Sequence, residues 1–187
     1  MIDDDEPRRS PFEGRLVRLR APEESDADAL NHLFGDPDVL AGITFAFPQS
    51  KAGYVEFIRS ARGSESQIVF TIETLEGEPL GTCDIRAIEA RARTAEVGLW
   101  IAKHRWGKGY GTDAMRVMCR YGFRVLNLQR IGLLVYETNP AAIRSYEKVG
   151  FRREGTLRRA QYLGGRYIDV LVMGLLAEEL VEDEDRD

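Results

Sequence analysis

A glycine-rich turn is the first part of this sequence whose residue types could do chemistry. It reads WGKGYGT and consists of Trp106, Gly107, Lys108, Gly109, Tyr110, Gly111 and Thr112. Glycine lets the backbone turn tightly and lets a ligand approach the backbone amides. If a helix begins near the end of this turn, its unpaired N–H groups and the positive end of its dipole favour a phosphate group there. The turn therefore predicts either a pyrophosphate cradle or a plain connection between a strand and a helix.

A second segment places a tyrosine two turns into a predicted helix. The segment reads NPAAIRSYEKVGF and runs from Asn139 to Phe151. Asn139 is a favourable N-cap, the proline after it fits the first helical position, and Gly150 is a typical C-terminal stop. Tyr146 follows the cap by seven positions and so lies on roughly the same side of the helix. By itself this pattern fits either a tyrosine packed in the core or a tyrosine at a site.

The spacings do not fit the common nucleotide and zinc motifs. The glycines follow GxGxG rather than GxGxxG, and no Gly-Lys-Ser/Thr follows a four-residue spacer. A nucleotide-binding module also lacks a magnesium carboxylate at recognisable spacing. The two histidines, His32 and His104, are too few for a zinc site, and we assign His104 no role. We expect no metal, and we expect Cys83 and Cys119 to be buried free thiols.

The hydrophobic patterns predict a mixed α/β domain with one central, partly antiparallel sheet. Strands are predicted over 15–20, 68–74, 80–88, 93–101, 130–136, 151–162 and 167–175, and Gly164-Gly165 predicts a hairpin turn. The nearly continuous apolar run 130–136 indicates a strand that is covered on both faces. One helix is predicted from a cap at Ser25 or Asp26 to about Phe34, where Gly35, Asp36 and Pro37 interrupt it. Other helices are predicted from a cap at Ser50 onward, over 112–126 and over 139–150.

Length and charge point to one globular domain over residues 13–177. The chain has 187 residues, 43% of them hydrophobic, and a formal net charge of −5. The acidity is concentrated in the tails, 1–12 and 178–187, which we expect to be flexible. The body is mildly basic but has no dense basic stripe, so nucleic acid is not expected as the main partner. No apolar run approaches the roughly 18 residues of a membrane helix, and the acidic N-terminus does not look like a signal peptide, so we expect a cytoplasmic protein.

The two motifs, in this order and with an apolar strand between them, resemble the GNAT superfamily of acetyltransferases over residues 13–177. The WGKGYG spelling and the closing GRYIDVLVM, residues 165–173, resemble the branch of ribosomal-protein N-terminal acetyltransferases and spermidine acetyltransferases. The resemblance implies a mixed, mostly antiparallel sheet of about seven strands flanked by about four helices. It implies an enzyme that moves an acetyl group from acetyl-CoA to a primary amine: a protein N-terminus, a polyamine or another small amine. A non-catalytic acyl-CoA sensor is the alternative, and a homodimer is weakly implied.

The same resemblance implies which residues hold acetyl-CoA. Backbone groups of Leu99, Trp100 and Ile101 would contact the pantetheine arm, where this strand splays from its neighbour. The glycine-rich turn would hold the pyrophosphate, and Asn139 would contact the pantetheine side. The sequence departs from the family at Trp106, where Arg or Gln is usual and Arg105 comes one residue early. The backbone amides are expected to serve regardless.

Tyr146 and Glu96 are the implied catalytic residues. A phenol, with a reference pKa near 10, can donate to the leaving thiolate, and a carboxylate can take a proton from the amine. Water is the alternative to Glu96, and the amide of Leu99 is a candidate for stabilising the developing oxyanion. The acceptor pocket is expected between the N-terminal helices and the last hairpin, with plausible walls at Phe45, Phe47, Tyr162, Tyr167 and Asp169.

Overall fold

The computed structural model describes residues 10–43, 50–61, 63, 64 and 66–182. Within them, the strands are β1 Val17–Arg20, β2 Gln67–Thr74, β3 Pro79–Glu89, β4 Thr94–Ile101, β5 Arg130–Tyr136, β6 Arg152–Leu163 and β7 Arg166–Leu176. The helices are α1 Ala27–Phe34, α2 Pro37–Ala41, α3 Lys51–Ala61, α4 Tyr110–Arg124 and α5 Pro140–Val149. Among the described helices, none has the length and apolar character needed to cross a membrane.

The seven strands form one sheet in the order β1-β2-β3-β4-β5-β7-β6. Every neighbouring pair is antiparallel except β4 and β5, which run parallel. The predicted mixed, mostly antiparallel sheet is therefore confirmed. Helix α2 was not predicted from the sequence, because five residues are too few to show a helical period. Asp36, read there as part of a break, caps this helix by accepting a 2.9 Å hydrogen bond from the Asp38 N–H.

The main core lies on one face of the sheet, under α4 and α5. Ala95 and Val97 of β4 and Ile131 of β5 pack there against the apolar side of α4, including Met115 and Met118. Alternate residues of each strand point to this face, as the two-residue period of a strand requires. The odd-numbered residues of β4 therefore belong to the α4/α5 face.

Two smaller apolar clusters lie on the opposite face, on either side of the β4–β5 pair. One contains Trp100 packed against Leu30, Tyr54 and Ile58 of α1 and α3. The other consists of Tyr136, Ile168 and Val170, with Leu163 packed against them. We call this the acceptor face, because the N-terminal helices expected to border the acceptor pocket pack on it. On this face Leu134 is 49% exposed, so the expectation that 130–136 is covered on both faces was wrong at this residue.

Strands β4 and β5 separate soon after they meet. Their pairing is limited to Thr94–Glu96 opposite Arg130–Gly132, whereas β3 stays paired with β4 as far as Ile101. The second half of β4 thus has a partner on one side only, and a gap opens between the C-terminal halves of β4 and β5. We refer to it as the β4–β5 gap.

The local signals for turns and caps had mixed outcomes. Gly164 and Gly165 both have positive φ, 58° and 83°, as a two-residue hairpin turn of type I′ requires. Ser50 caps α3, since its Oγ accepts a 3.1 Å bond from the Gly53 N–H. The expectation of a side-chain cap at Ser25 or Asp26 was wrong, because a 3₁₀ turn precedes α1 and Asp26 makes no capping bond to that helix.

Asp26 is instead the centre of a buried polar network that joins β1, β2 and the start of α1. Its carboxylate accepts bonds from Arg20 at 2.7 and 2.8 Å and from the Thr71 hydroxyl at 3.0 Å. Arg20 also pairs with Glu73 at 2.6 Å. Burial alone would raise the pKa of Asp26, but the bonds from Arg20, the Glu23 N–H and Thr71 outweigh it, so its pKa lies below the ordinary value.

Replacing this buried carboxylate should destabilise the fold in a pH-dependent way. Asp26→Asn should lower the free energy of unfolding by about 3 kcal/mol at pH 7, because it leaves Arg20 incompletely paired. A carboxyl whose pKa is lowered on folding stabilises above its unfolded pKa, near 3.9, and loses that contribution as the pH falls further. Urea unfolding should therefore show the difference at neutral pH and a smaller one below about pH 4.

Asp28→Asn is the matched control. This residue lies two positions along the chain, and its ion pair with Lys51 is exposed, with 72% of the Asp28 side chain accessible. Its loss should cost less than about 1 kcal/mol. Equal effects of the two substitutions would contradict the importance assigned to the buried network.

Candidate active site

The glycine-rich turn ends in an uncapped helix N-terminus. Gly107 and Gly109 have positive φ, 72° and 89°, and Gly109 is the left-handed N-cap of α4. The first helical bond runs from the Asp113 N–H to the Gly109 carbonyl at 3.0 Å. No side chain caps α4, and within the described residues the amides at positions 110–112 have no hydrogen-bond partner. Three N–H groups at the positive end of the α4 dipole are thus available to an anion.

Side chains fix the path of the chain into this turn. The Trp106 indole N–H donates to the Ile101 carbonyl at 2.7 Å, and Lys108 Nζ donates to the His104 carbonyl at 3.1 Å. Arg105 forms an ion pair with Glu78, a residue that the sequence analysis did not single out, and lies over the Tyr110 ring. The side chain of Trp106, the residue that departs from the family pattern, therefore stabilises the loop. Its neighbour Arg105 contacts Glu78 and Tyr110 instead.

The end of β4 presents backbone groups to the β4–β5 gap. The Ala102 N–H donates to Leu80 of β3 at 2.7 Å, so by alternation the N–H and C=O of Leu99 and Ile101 face the other way, into the gap. The Ile101 carbonyl is taken by Trp106, whereas Leu99 has no strand partner on that side among the described residues. Trp100 differs from both neighbours, since its carbonyl is directed at Gly81 of β3 and its ring packs at 5.3 Å from Phe34.

The start of α4 connects the end of β4 to α5. A Cβ at Gly111 would lie 3.7 Å from Ile101 Cγ1 and 4.0 Å from Leu99 Cδ1. The hydroxyl of Thr112 lies 2.6 Å from that of Ser145, the residue before Tyr146. The two sequence motifs, distant in the chain, are therefore adjacent beside the gap.

Helix α5 carries Tyr146 on the α4/α5 face. Asn139 begins this helix and its Oδ1 accepts a 3.1 Å bond from the Ala142 N–H, while Gly150 ends it with φ 112°. Tyr146 is 9% exposed, and burial raises its pKa to about 12. Its hydroxyl makes no hydrogen bond to the described part of the chain. The phenol is therefore protonated at neutral pH and free to donate to a ligand.

A polar cluster lies on the acceptor face, around Gly98. Arg86 contacts Asp84 at 3.0 Å and Glu96 at 3.6 Å. A Cβ at Gly98 would lie 2.7 Å from the Arg86 guanidinium, so glycine makes room for this cluster. Burial raises the pKa of Asp84 and outweighs the ion pair with Arg86, whereas half of the Glu96 side chain is exposed.

The sequence analysis named Glu96 but not Asp84 or Arg86. The available signal was the alternation of Thr82, Asp84 and Arg86 along a strand whose other residues are apolar. Such alternation normally indicates a solvated face, so it did not single out a site. Only the pairing of Asp84 opposite Gly98 and of Arg86 opposite Glu96 brings these groups to the gap.

The predicted walls of the acceptor pocket are dispersed. Phe45 and Phe47 lie outside the described residues. Tyr162 and Tyr167 contact each other edge to face at 5.1 Å and are 60% and 65% exposed. By alternation along β7 they lie on the face opposite to Ile168, away from the acceptor face. Asp169 accepts a 2.8 Å bond from the Arg159 N–H.

His104, Cys83 and Cys119 have no described neighbours that would suggest metal or thiol chemistry. His104 is exposed and lies 3.7 Å from Glu78. Cys83 and Cys119 are free and buried, as predicted, and burial raises the pKa of both thiols. Across the described ranges, no group of three or more His, Cys, Asp or Glu residues is arranged to hold a metal ion.

Comparison with known proteins agrees with this geometry. Residues 16–152 match the model of the acetyltransferase (GNAT) domain. The chain is 32% identical to the uncharacterized N-acetyltransferase p20 of Bacillus licheniformis, over 87% of this chain and 94% of the relative. It is 33% identical to the putative ribosomal N-acetyltransferase YdaF of Bacillus subtilis, over 87% and 92%. The structure of spermidine N-acetyltransferase from Vibrio cholerae with CoA and spermine superposes with a TM-score of 0.81, at 27% identity over 87% and 96% of the two chains.

The fold, the uncapped turn and these matches together define the class of protein. The chain belongs to the GNAT family of acetyltransferases. It is an N-acetyltransferase that uses acetyl-CoA as the acetyl donor for a primary amine.

Proposed function

We propose that this enzyme acetylates the N-terminal amine of a protein or peptide at the β4–β5 gap. Acetyl-CoA would lie on the α4/α5 face and the amine would enter from the acceptor face. The observation that carries this proposal is the gap itself, where β4 has lost its partner. Groups suited to an acyl donor flank the gap on one face, and a carboxylate cluster flanks it on the other.

The chain's own groups suit the donor. The open amides at the start of α4 would hold the pyrophosphate, with Gly107 and Gly109 giving the backbone its left-handed turns. Leu99 would pair with the pantetheine arm in place of a β5 strand, and Asn139 would contact the same arm while capping α5. Acetyl-CoA supplies the activated thioester. The backbone of Trp100 is turned towards β3. Trp100 would therefore contribute to the acetyl-CoA site only by positioning its neighbours Leu99 and Ile101.

For the chemical step, we assign Tyr146 as the hydrogen-bond donor to the departing sulfur. The amine nitrogen attacks the thioester carbonyl, the C–S bond breaks and one N–H proton is lost. With a pKa of about 12, the phenol cannot easily give its proton to a thiolate of cysteine-like pKa near 8.5, since the transfer is uphill by more than 3 units. It therefore stabilises the thiolate by donating a hydrogen bond, and the N–H of Leu99 stabilises the carbonyl oxygen.

Glu96 is the proposed proton acceptor for the amine, directly or through water. It lies on the acceptor face at the point where β4 and β5 separate. Its half-exposed carboxylate can pass the proton to solvent. Arg86 lies 3.6 Å from this carboxylate and holds it in place. Asp84 shares the same arginine and is the competing base.

The charges around the acceptor face favour a peptide over a polyamine. A polyamine needs several carboxylates without cationic partners, but Asp84 and Glu96 share Arg86. On β7, Arg166 lies on the same face as Ile168, and its side chain makes no ion pair within the described residues. A polycation would be repelled here, whereas a peptide brings one amine together with carbonyl groups that accept hydrogen bonds.

We also propose a cytoplasmic homodimer, in which β6 is part of the interface. β6 is a long edge strand with β7 as its only described partner, and exposed edges of this kind favour pairing with another chain. Light scattering over a dilution series tests this, and a monomer at every concentration would contradict it.

The acceptor assignment predicts a clear order of substrates. A peptide with a free N-terminus should be acetylated faster than spermidine, and the same peptide with a blocked N-terminus and one lysine should give little product. Mass spectrometry of the three reactions with acetyl-CoA identifies the modified amine. Preference for spermidine would overturn the peptide assignment, and modification of the blocked peptide would move the site to the lysine side chain.

The phosphate cradle predicts that Gly109→Val weakens acetyl-CoA binding by about tenfold or more, the equivalent of one charge-assisted hydrogen bond. Its side chain would strain the left-handed N-cap and displace the amides. Calorimetric titration measures the affinity. Gly77→Val is the matched control, because Gly77 has φ 90° in the β2–β3 turn with no atom near its Cβ position. Equal loss of affinity in both variants, or none in either, would contradict the cradle.

The proposed chemistry predicts different pH–rate profiles for two variants. Tyr146→Phe should lower kcat by about 10- to 100-fold at every pH near neutrality, with the acetyl-CoA affinity nearly unchanged, because the hydrogen bond forms as the sulfur becomes charged. Glu96→Gln should instead remove the acidic limb of the kcat/KM profile. An acidic limb that survives in Glu96→Gln but disappears in Asp84→Asn would show that Asp84, and not Glu96, is the base. Full turnover in Tyr146→Phe would contradict the role of Tyr146 as hydrogen-bond donor to the sulfur.

A further inference from the structure

The hydroxyl of Tyr136 is buried and unused by the fold. Tyr136 is the last residue of β5, is 6% exposed, and its hydroxyl has no hydrogen-bond partner in the described part of the chain. Most buried polar side-chain atoms in proteins have such a partner, and each exception calls for an explanation. Phenylalanine would pack the same ring without this polar group. Within the described residues, the fold therefore supplies no hydrogen-bond partner for this hydroxyl.

The register of the sheet fixes where this tyrosine lies. Gly132 pairs with Glu96, so Gly132, Leu134 and Tyr136 alternate onto the same face as Glu96. Tyr136 follows the last β4–β5 pair by four residues and therefore lies on the β5 side of the gap. Its ring packs against Ile168 and Val170 of β7. Tyr136 thus forms part of the β5 wall of the gap, and its hydroxyl is buried within that wall.

A pocket adjoins this wall. It is lined by Thr138, Leu163, Gly164, Arg166 and Ile168, and two of these residues, Leu163 and Ile168, also belong to the cluster around Tyr136. The Arg166 side chain is exposed and makes no hydrogen bond or ion pair with the described residues. Its guanidinium can only donate, and a phenol donates readily, so this side of the gap suits a ligand with carbonyl or carboxylate oxygens.

We propose that Tyr136 binds the acceptor by donating its hydroxyl proton to a backbone carbonyl near the N-terminus of a peptide, with Arg166 receiving a later carbonyl or carboxylate. This inference rests on the proposed N-terminal acetylation and names the part of the peptide that the enzyme recognises. The acceptor amine faces the Asp84–Glu96 side of the gap, and the first carbonyls of the peptide face the β5 side. An amine without carbonyl groups gains nothing from Tyr136.

Tyr136→Phe tests this assignment, because it removes one oxygen atom and keeps the ring. The dissociation constant of a peptide with a free N-terminus, titrated into the CoA-saturated protein, should rise about three- to tenfold, the range expected for one hydrogen bond. The KM for the peptide should rise equally, while kcat and the acetyl-CoA affinity stay unchanged. The melting temperature should stay the same or increase, because the variant no longer buries an unpaired hydroxyl. A primary alkylamine should show the same KM with both proteins.

Tyr162→Phe is the matched control, since it removes an exposed tyrosine hydroxyl from the opposite face of the same sheet, and it should change none of these values. Equal peptide affinity in wild type and Tyr136→Phe would overturn the proposal. A lower melting temperature with equal losses for peptide and alkylamine would also overturn it, by making the hydroxyl structural. Tyr136-dependent peptide binding without acetylated product would contradict the proposed function but not this subsite. Binding of spermidine and not of peptide would overturn both.

Discussion

The separation of β4 from β5 is the constraint on which the rest of this structure depends. Three residue pairs join the strands, and beyond them β3 is the only strand among the described residues that pairs with β4. Backbone groups left without a strand partner are costly unless something else satisfies them. The Trp106 indole satisfies one of them at Ile101, and the groups of Leu99 stay open beside the start of α4. In the proposed mechanism, this same opening is the place where the acetyl donor and the acceptor amine meet.

The remaining elements hold this opening in place from several directions. The bond between Thr112 and Ser145 joins α4 to α5, and the pair formed by Arg105 and Glu78 ties the glycine-rich turn to the β2–β3 turn. On the other face, the Asp26 network anchors α1 to β1 and β2. These contacts are polar and specific, so they fix positions that apolar packing alone would leave adjustable. The proposed reacting groups, Tyr146 and Glu96, therefore lie on a helix and a strand rather than on loops.

Much of this arrangement could be predicted from the sequence, and the part that could not has a physical cause. Local signals identified the glycine-rich turn, the Asn139 cap, the Gly150 stop and the hairpin glycines, because each depends on near neighbours in the chain. Asp84, Arg86 and Tyr136 escaped notice because their importance depends on strand register, which joins residues far apart in sequence. Asp26 was misread as a cap because a carboxylate before a helix has more than one possible partner, and Arg20 and Thr71 compete successfully for it.

The positions of the two tryptophans have a consequence for observing the protein in solution. The chain has only Trp100 and Trp106; Trp100 lies on the acceptor face of the sheet, and Trp106 lies in the loop that follows β4. Trp106 is 48% exposed beside the glycine-rich turn, whereas Trp100 packs among the helices of the acceptor face. Intrinsic fluorescence therefore has two separate sources, one solvated and one in apolar surroundings. Replacing either tryptophan by phenylalanine would leave a single optical probe, which reports either on the glycine-rich turn or on the packing of the N-terminal helices, without any added label.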